Sequence, residues 1–184
     1  MTEPNVEPAR LIREIFAAAV SDGLHPDSVR GASDAQIDAW ATEQGARAVP
    51  LAVREVLRLL GREHGLWLAG SSFGVHAVRG EAKNHFFATL STLGDPLDDP
   101  EGALVLVDHQ SYTFHVVDGA ETDLPDPPVW LVTEAETAEK RWDTVSFWFQ
   151  AVTPDVARYR ERLEIMQELG HGRIPGWARH IAPR

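Results

Sequence analysis

Apolar residues in the first third of the chain recur at helical spacing. The segment 8–20 places its leucine, isoleucine and phenylalanine residues on one stripe, which predicts an amphipathic helix. A second predicted helix begins at Ser33, with Gln36 in capping-box spacing, and ends near Gly45. A third follows directly, with Pro50 in its first turn. The N-terminal part of the chain is therefore expected to be helical.

From residue 66 onward the pattern changes to short apolar runs rich in β-branched residues, which are typical of strands. The predicted strands are 66–69, 103–107, 112–117 and 129–132, and the helices predicted among and after them are 83–93, 143–152 and 154–169. This order favours an α+β fold with N-terminal helices, a central, mostly antiparallel sheet of about four to six strands, and C-terminal helices.

The length of 184 residues fits a single domain with its own core. Residues 1–29 are interpreted as an N-terminal helix and linker, 30–152 as the domain core, and 153–184 as a C-terminal helix and basic tail packed on or trailing from the same domain. Thr153 and Pro154 resemble the N-cap and first residue of the last helix. The tail after Leu169 contains no acid, and we expect it to be loosely attached.

The charge is concentrated in one quarter of the chain. The protein has 28 acids, 17 Lys and Arg residues and a net charge of −11. Residues 95–139 hold 12 of the acids and neither Lys nor Arg. This balance argues against nucleic-acid binding, which needs a basic surface, and favours attraction to a basic partner. The plainer alternative is a solvated acidic surface that maintains solubility.

The absence of cysteine excludes disulfides, thiolate metal sites and cysteine nucleophiles. No apolar run approaches the roughly 20 residues of a membrane span. The N-terminus lacks the basic and apolar regions of a signal peptide. We therefore expect a cytoplasmic protein without membrane partners, and no motif calls for a cofactor.

The segment from Gly70 to Gly74 matches G-x-S-x-G, which would make Ser72 a nucleophile. That motif works where a strand of a parallel sheet turns sharply into a helix. Three predicted helices precede it here, so no earlier sheet exists to hold the turn. We expect a chance match in a loop of small residues.

His109 and His115 suggest a metal site or a general base. On one straight strand they would share a face with Ser111 and Thr113. A zinc site would need a third ligand, and no paired histidine spacing supplies one. The alternative, which we prefer, is that His109 hydrogen-bonds within a turn or packs against the sheet. We expect no metal and no catalytic residue.

Six tryptophans stand mostly at positions with the periodicity of a core. Trp177 is different because it lies in the tail, where it is interpreted as an exposed anchor for a partner.

Several short segments together resemble one known family. The segment 37–65 contains a helix ending with Glu43 and Gly45, the step Val49-Pro50, and an amphipathic helix closed by Gly65. The segments that follow in the same order are His109-Gln110-Ser111-Tyr112-Thr113-Phe114, Asp126-Pro127-Pro128-Val129-Trp130 and 145–149. This order resembles the SUKH superfamily (Smi/Knr-type domains) of yeast cell-wall regulators and bacterial toxin-immunity proteins. Two departures are Val49 in place of the usual leucine and the lack of an Asn-Gly pair at 62–64.

The resemblance implies a non-enzymatic protein-binding module, an immunity protein that neutralises a cognate toxin, often a nuclease. It supplies no catalytic motif, so the candidate contacts are the acids of the charged segment. They are Asp98, Asp99, Glu101, Asp108, Asp118, Glu121, Asp123 and Asp126. Two alternatives stay open: a regulatory or scaffold module that binds host proteins without a toxin, and a hydrolase using Ser72 or His109.

Overall fold

The computed structural model describes residues 7–94, 96–170 and 173–183. The helices are α1 (Glu7–Ser21), α2 (Asp34–Glu43), α3 (Leu51–Leu60), α4 (Gly80–Leu90), α5 (Val145–Ala151) and α6 (Val156–Glu168). The strands are β1 (Val29–Arg30), β2 (Glu63–His64), β3 (Ser72–Phe73), β4 (Leu104–His109), β5 (Thr113–Val117), β6 (Val129–Thr133) and β7 (Thr137–Trp142). Short 3₁₀ turns lie at Pro26–Ser28, Gly119–Glu121 and Gly176–His180.

Strands β3 to β7 form one antiparallel sheet in chain order, and β1 pairs with β2 in a separate two-stranded sheet. Helices stand before, between and after these strands, so the expected α+β fold is confirmed. The predicted strands at 103–107, 112–117 and 129–132 correspond to β4, β5 and β6 within two residues at each end.

Both faces of the central sheet are covered by helices. On one face, Leu104, Val107 and Val117 pack in a core with residues of α1, α3 and α5. On the other face, Phe114 and Val116 pack against α4, where Phe86 is fully buried. Because β4 is buried on both sides, its sequence is a continuous apolar run rather than an alternating one.

The N-terminal helices form where the periodicity predicts them. The capping box at α2 is complete: Gln36 N donates to Ser33 Oγ at 3.3 Å, and Ser33 N donates to Gln36 Oε1 at 3.0 Å. Pro50 is the N-cap of α3 rather than a residue of its first turn. Ile12 of α1 is fully buried in the same core as the sheet, so the N-terminal helix belongs to the same packed unit.

The strand predicted at 66–69 is wrong. This segment is a series of turns in which Leu68 has a φ of 51° and Gly70 a φ of 89°. Its apolar side chains instead pack into the core from these turns. Trp67 is fully buried and stacks on Phe16 at 5.7 Å and on Phe149 at 5.2 Å between ring centroids.

Strand β7 has no counterpart in the prediction. Its sequence is polar because it is the edge of the sheet and largely exposed, and charged edges discourage pairing with other chains. Helix α4 also begins three residues earlier than Lys83 and ends at Leu90 rather than 93.

The C-terminal segment differs from its prediction in two ways. Asp155, not Thr153, caps α6, with Arg158 N donating to Asp155 Oδ1 at 2.9 Å. The tail is not loose, since Ile181 is buried and bridges Leu24.

The interpretation of Trp177 as an exposed anchor is also wrong. The side chain is half-buried, and its ring lies 5.3 Å from that of Tyr159 on α6. No helix in the described ranges is long and apolar enough to cross a membrane.

Candidate protein-binding surface

Two loops meet at one end of the central sheet and carry most of the predicted acidic contacts. Leu104 pairs with Val117, so the loop entering β4 lies beside the loop leaving β5. Gly119 N donates to the carbonyl of Asp99 at 3.1 Å, which joins the loops directly. This end holds seven of the eight predicted residues: Asp98, Asp99, Glu101, Asp118, Glu121, Asp123 and Asp126. We call residues 98–101 and 118–126 the acidic end.

Asp118 holds the acidic end together from inside. Only 2% of the residue is exposed. Its carboxylate accepts hydrogen bonds from Asp98 N at 2.8 Å, Asp99 N at 2.9 Å and Ala120 N at 3.2 Å. A buried carboxylate is stable only when its oxygens are paired in this way. The prediction of Asp118 as a partner contact is therefore wrong, because its charge is occupied within the fold.

The two carboxylate oxygens of Asp99 have different partners. Its Oδ1 accepts from Gly102 N at 3.0 Å, while Arg47 lies 3.2 Å from Oδ2. Arg47 also donates to the carbonyl of Gly119 at 3.3 Å. The half-buried carboxylate of Asp99 is thus partly neutralised by an arginine that spans both loops.

Asp126 and Glu121 also have partners within the chain. Ser146 donates to Asp126 from its amide at 2.9 Å and from its hydroxyl at 2.6 Å, which fixes the start of α5. Glu121 Oε1 lies 2.6 Å from Lys140 Nζ on β7. Both carboxylates are half-buried and connect the acidic end to neighbouring elements.

Three of the predicted acids are exposed and uncommitted. In the ranges that the structure describes, the carboxylates of Asp98, Glu101 and Asp123 accept no hydrogen bond and form no ion pair. Leu124, next to Asp123, is 48% exposed. An apolar side chain beside free carboxylates on a fixed loop is a surface suited to a protein partner.

Lys83 of α4 holds the backbone of the acidic end from inside the protein. Its buried ammonium donates to the carbonyl of Glu101 at 2.9 Å and to that of Ala103. Burial lowers the pKa of Lys83 to about 8, although the charges of Asp99 and Glu101 oppose the shift. No local sequence pattern indicates this role for Lys83, because only the packing of α4 in the fold brings its side chain to the loop.

Asp108, the eighth predicted residue, lies at the opposite end of β4. It is buried, and its Oδ1 accepts from Ser111 N at 2.7 Å. This contact stabilises a tight turn in which Gln110 and Ser111 have φ values of 54° and 62°, a left-handed region that side-chain-bearing residues rarely adopt. The prediction of Asp108 as a surface contact is wrong for the same reason as that of Asp118.

The serine and histidine candidates, Ser72 and His109, are not hydrogen-bonded to each other in the part of the chain that the structure describes. Ser72 lies in the edge strand β3 opposite Asp108, with no strand-to-helix turn around it. No histidine in the described chain bonds to its hydroxyl. His109 Nδ1 instead lies 2.9 Å from Ser71 Oγ, and its ring packs edge-on against Tyr112. The hydrogen bond of His109 is thus made to a residue 38 positions away and not within its own turn, while its ring contact with Tyr112 is local.

His115 is embedded in the apolar side of the sheet. It shares a face with His109, since Val107 pairs with His115 and His109 with Thr113 across the hairpin. Trp148 Nε1 donates to His115 Nδ1 at 2.9 Å, which requires an unprotonated nitrogen there. Burial, aided by His109, lowers the pKa of His115 to about 4.

Among residues 7–94, 96–170 and 173–183, no group of three or more His, Asp or Glu side chains is arranged to hold a metal ion. No protein-family model, curated protein or solved structure matches this chain. The site described above therefore rests on the geometry of the chain itself.

Proposed function

We propose that this protein is a cytoplasmic, SUKH-type protein-binding module that acts as an immunity protein. It neutralises a basic, nuclease-type toxin domain by covering it with the acidic end. The resemblance in the order of sequence motifs suggests the class, and the charge distribution suggests the chemistry of the partner.

One observation carries this proposal: the acidic end divides its carboxylates between two tasks. Asp118 and Asp126 are committed to hydrogen bonds within the fold, while Asp98, Glu101 and Asp123 are exposed and uncommitted. A loop already held in one conformation loses little entropy on binding, so its free charges contribute to affinity at low cost.

The bases near these acids leave the surface negative. Arg47 pairs with Asp99, Lys140 pairs with Glu121, and Lys83 is buried. A nuclease needs a basic surface to bind phosphates. An acidic surface of this kind accelerates association with such a protein and occludes the phosphate-binding groups once bound.

The test uses one charge-reversal variant and one matched control. D98K/E101K/D123K reverses the three free carboxylates, and E134K/E136K/E139K makes the same charge change at exposed acids on the β6–β7 hairpin. Each tagged protein is used for affinity capture from its own host at low and high salt, followed by mass spectrometry. The captured polypeptide is then expressed with each variant in a growth assay.

We expect the wild type and the control variant to capture one large polypeptide with a basic domain at low salt and to relieve its toxicity. D98K/E101K/D123K should do neither. Equal capture and protection by all three proteins would place the interface elsewhere. Recovery of several unrelated housekeeping proteins would favour the regulatory module instead.

A further inference from the structure

Helix α6 lies on the surface with little to hold it. Of its 13 residues, only Val156 in the first turn is buried, while Ile165 is 48% exposed and Leu169, just after the helix, 70%. An isolated helix of this length is marginal in water. Tyr159 and Arg162 of α6 contact Trp177 in the Gly176–His180 turn, with ring centroids of Tyr159 and Trp177 5.3 Å apart, while most other side chains of α6 are exposed.

A groove of about 900 Å³ lies between α6 and the turn segment at 66–69. Leu66 and Leu68 of the turn segment form its far wall, and Arg158, Arg162, Ile165 and Met166 project from α6. Its apolar floor and charged rim are the composition expected of a protein interface.

The charges of α6 run against its own dipole. Three arginines, Arg158, Arg160 and Arg162, outnumber Glu161 in the N-terminal half, whereas the C-terminal half carries Glu164 and Glu168 and no base. The positive end of a helix dipole is its N-terminus, so this order destabilises the helix by itself. In the part of the chain that the structure describes, neither Arg158 nor Glu168 forms an ion pair that would offset it.

We propose that the occupant of this groove is a second copy of the chain, bound through its own α6 in antiparallel orientation. An antiparallel, two-fold arrangement places the arginine half of each helix against the glutamate half of the other. With the axis beside Leu163, Arg158 of one helix faces Glu168 of the other, and the two-fold symmetry forms this pair twice. The same arrangement covers Ile165 and Leu169 on both copies.

The reversed order of charges along α6 is the reason for proposing a second copy of the chain as the occupant of the groove. A helix whose charges oppose its own dipole is favoured by an antiparallel neighbour, because the neighbour presents its negative C-terminal end to the arginines. The interface is independent of the proposed function, since α6 contributes no residue to the acidic end. A dimer formed in this way carries two acidic ends.

The test is a charge swap followed by analytical ultracentrifugation of the full chain. R158E and E168R each reverse one member of the facing pair, so that a dimer of either variant places like charges opposite each other. The control R62E makes the same charge change as R158E at an exposed arginine outside α6. Circular dichroism verifies that each variant is folded before sedimentation from about 5 to 500 µM, a range that detects specific dimers.

We expect the wild type and R62E to form dimers of twice 20.3 kDa. Each α6 variant alone should dimerise at least tenfold more weakly. An equimolar mixture of R158E and E168R should recover a heterodimer, because both facing pairs at positions 158 and 168 are then complementary. A wild type that stays monomeric throughout the range, α6 variants that dimerise like the wild type, or a mixture that stays monomeric would each overturn the proposal.

Discussion

The side chain of Lys83 donates to the main-chain carbonyl of Glu101 at 2.9 Å, so a buried cation on α4 holds the backbone of a residue whose own carboxylate is exposed. The same ammonium donates to the carbonyl of Ala103. Glu101 thus presents its negative charge to solvent, while the positive charge of Lys83 holds the backbone of the same residue from inside the protein. This arrangement lets a loop rich in acids keep a single conformation.

Because of Lys83, we expect the free energy of unfolding to increase as the pH becomes alkaline. The pKa of this lysine is about 8 in the folded protein and 10.5 in the unfolded chain, so the unfolded chain binds more protons between these values. The cost of burying the charge is therefore present below pH 8 and is relieved as the pH rises to 10.5. By linkage this group adds up to about 3 kcal/mol over that interval.

Urea denaturation of the wild type, K83M and K140M at a series of pH values measures this effect. The alkaline rise in stability should be absent from K83M, which has no group that titrates at this position. K140M, which removes the exposed lysine, should keep the rise. Parallel pH profiles for wild type and K83M would show that the Lys83 ammonium is solvated rather than buried.

Removing the carboxylate of Asp118 should weaken the whole fold. In D118A, the amides of Asp98, Asp99 and Ala120 lose their acceptor, which costs about 3 kcal/mol in the free energy of unfolding. The matched variant D123A removes an exposed, unpaired carboxylate and should change stability by less than about 0.5 kcal/mol. Equal stability of the two variants in urea denaturation would refute the structural role of Asp118.

His115 should make the protein sensitive to acid. Its pKa of about 4 in the fold lies below the value of 6.5 in the unfolded chain, so the unfolded chain binds more protons between them. Stability from this group is present above pH 6.5 and is lost as the pH falls to 4, by as much as about 3 kcal/mol.

An NMR titration of the imidazole should place its midpoint near pH 4, and H115Q should lose less stability than the wild type across this interval. The exposed His76 supplies the control H76Q, which should behave like the wild type. A midpoint near 6.5 would contradict the burial of His115 beneath Trp148.

Local sequence signals predict the parts of this fold that local physics determines. The capping box at Ser33 and Gln36 and the periodic apolar stripes locate the first three helices to within a residue or two. The apolar run at 104–107 predicts a strand because β4 is buried on both faces. At 66–69 the same kind of run misleads, since Trp67 is buried by a turn and not by a sheet.

The candidate surface is predictable in location but not in detail. The excess of acids at 95–139 indicates the region. The sequence alone does not distinguish the buried Asp118 from the exposed Asp123. Their difference arises from tertiary contacts, because only Asp118 faces the amides of a loop 20 residues away in the chain. Lys83 reaches the same loop through the packing of α4, which no local pattern reveals.

The most direct test of the acidic end is the association rate constant of the captured partner as a function of salt. Stopped-flow measurements would compare the wild type, D98K/E101K/D123K and the control E134K/E136K/E139K. Electrostatic steering raises association rates by about 10- to 1,000-fold and disappears at high ionic strength.

We expect the wild type and the control to associate at least about tenfold faster than D98K/E101K/D123K at low salt, with the difference vanishing as salt is raised. An association rate of the wild type that does not change with salt, or that the reversal of Asp98, Glu101 and Asp123 leaves unaltered, would contradict recognition through the acidic end.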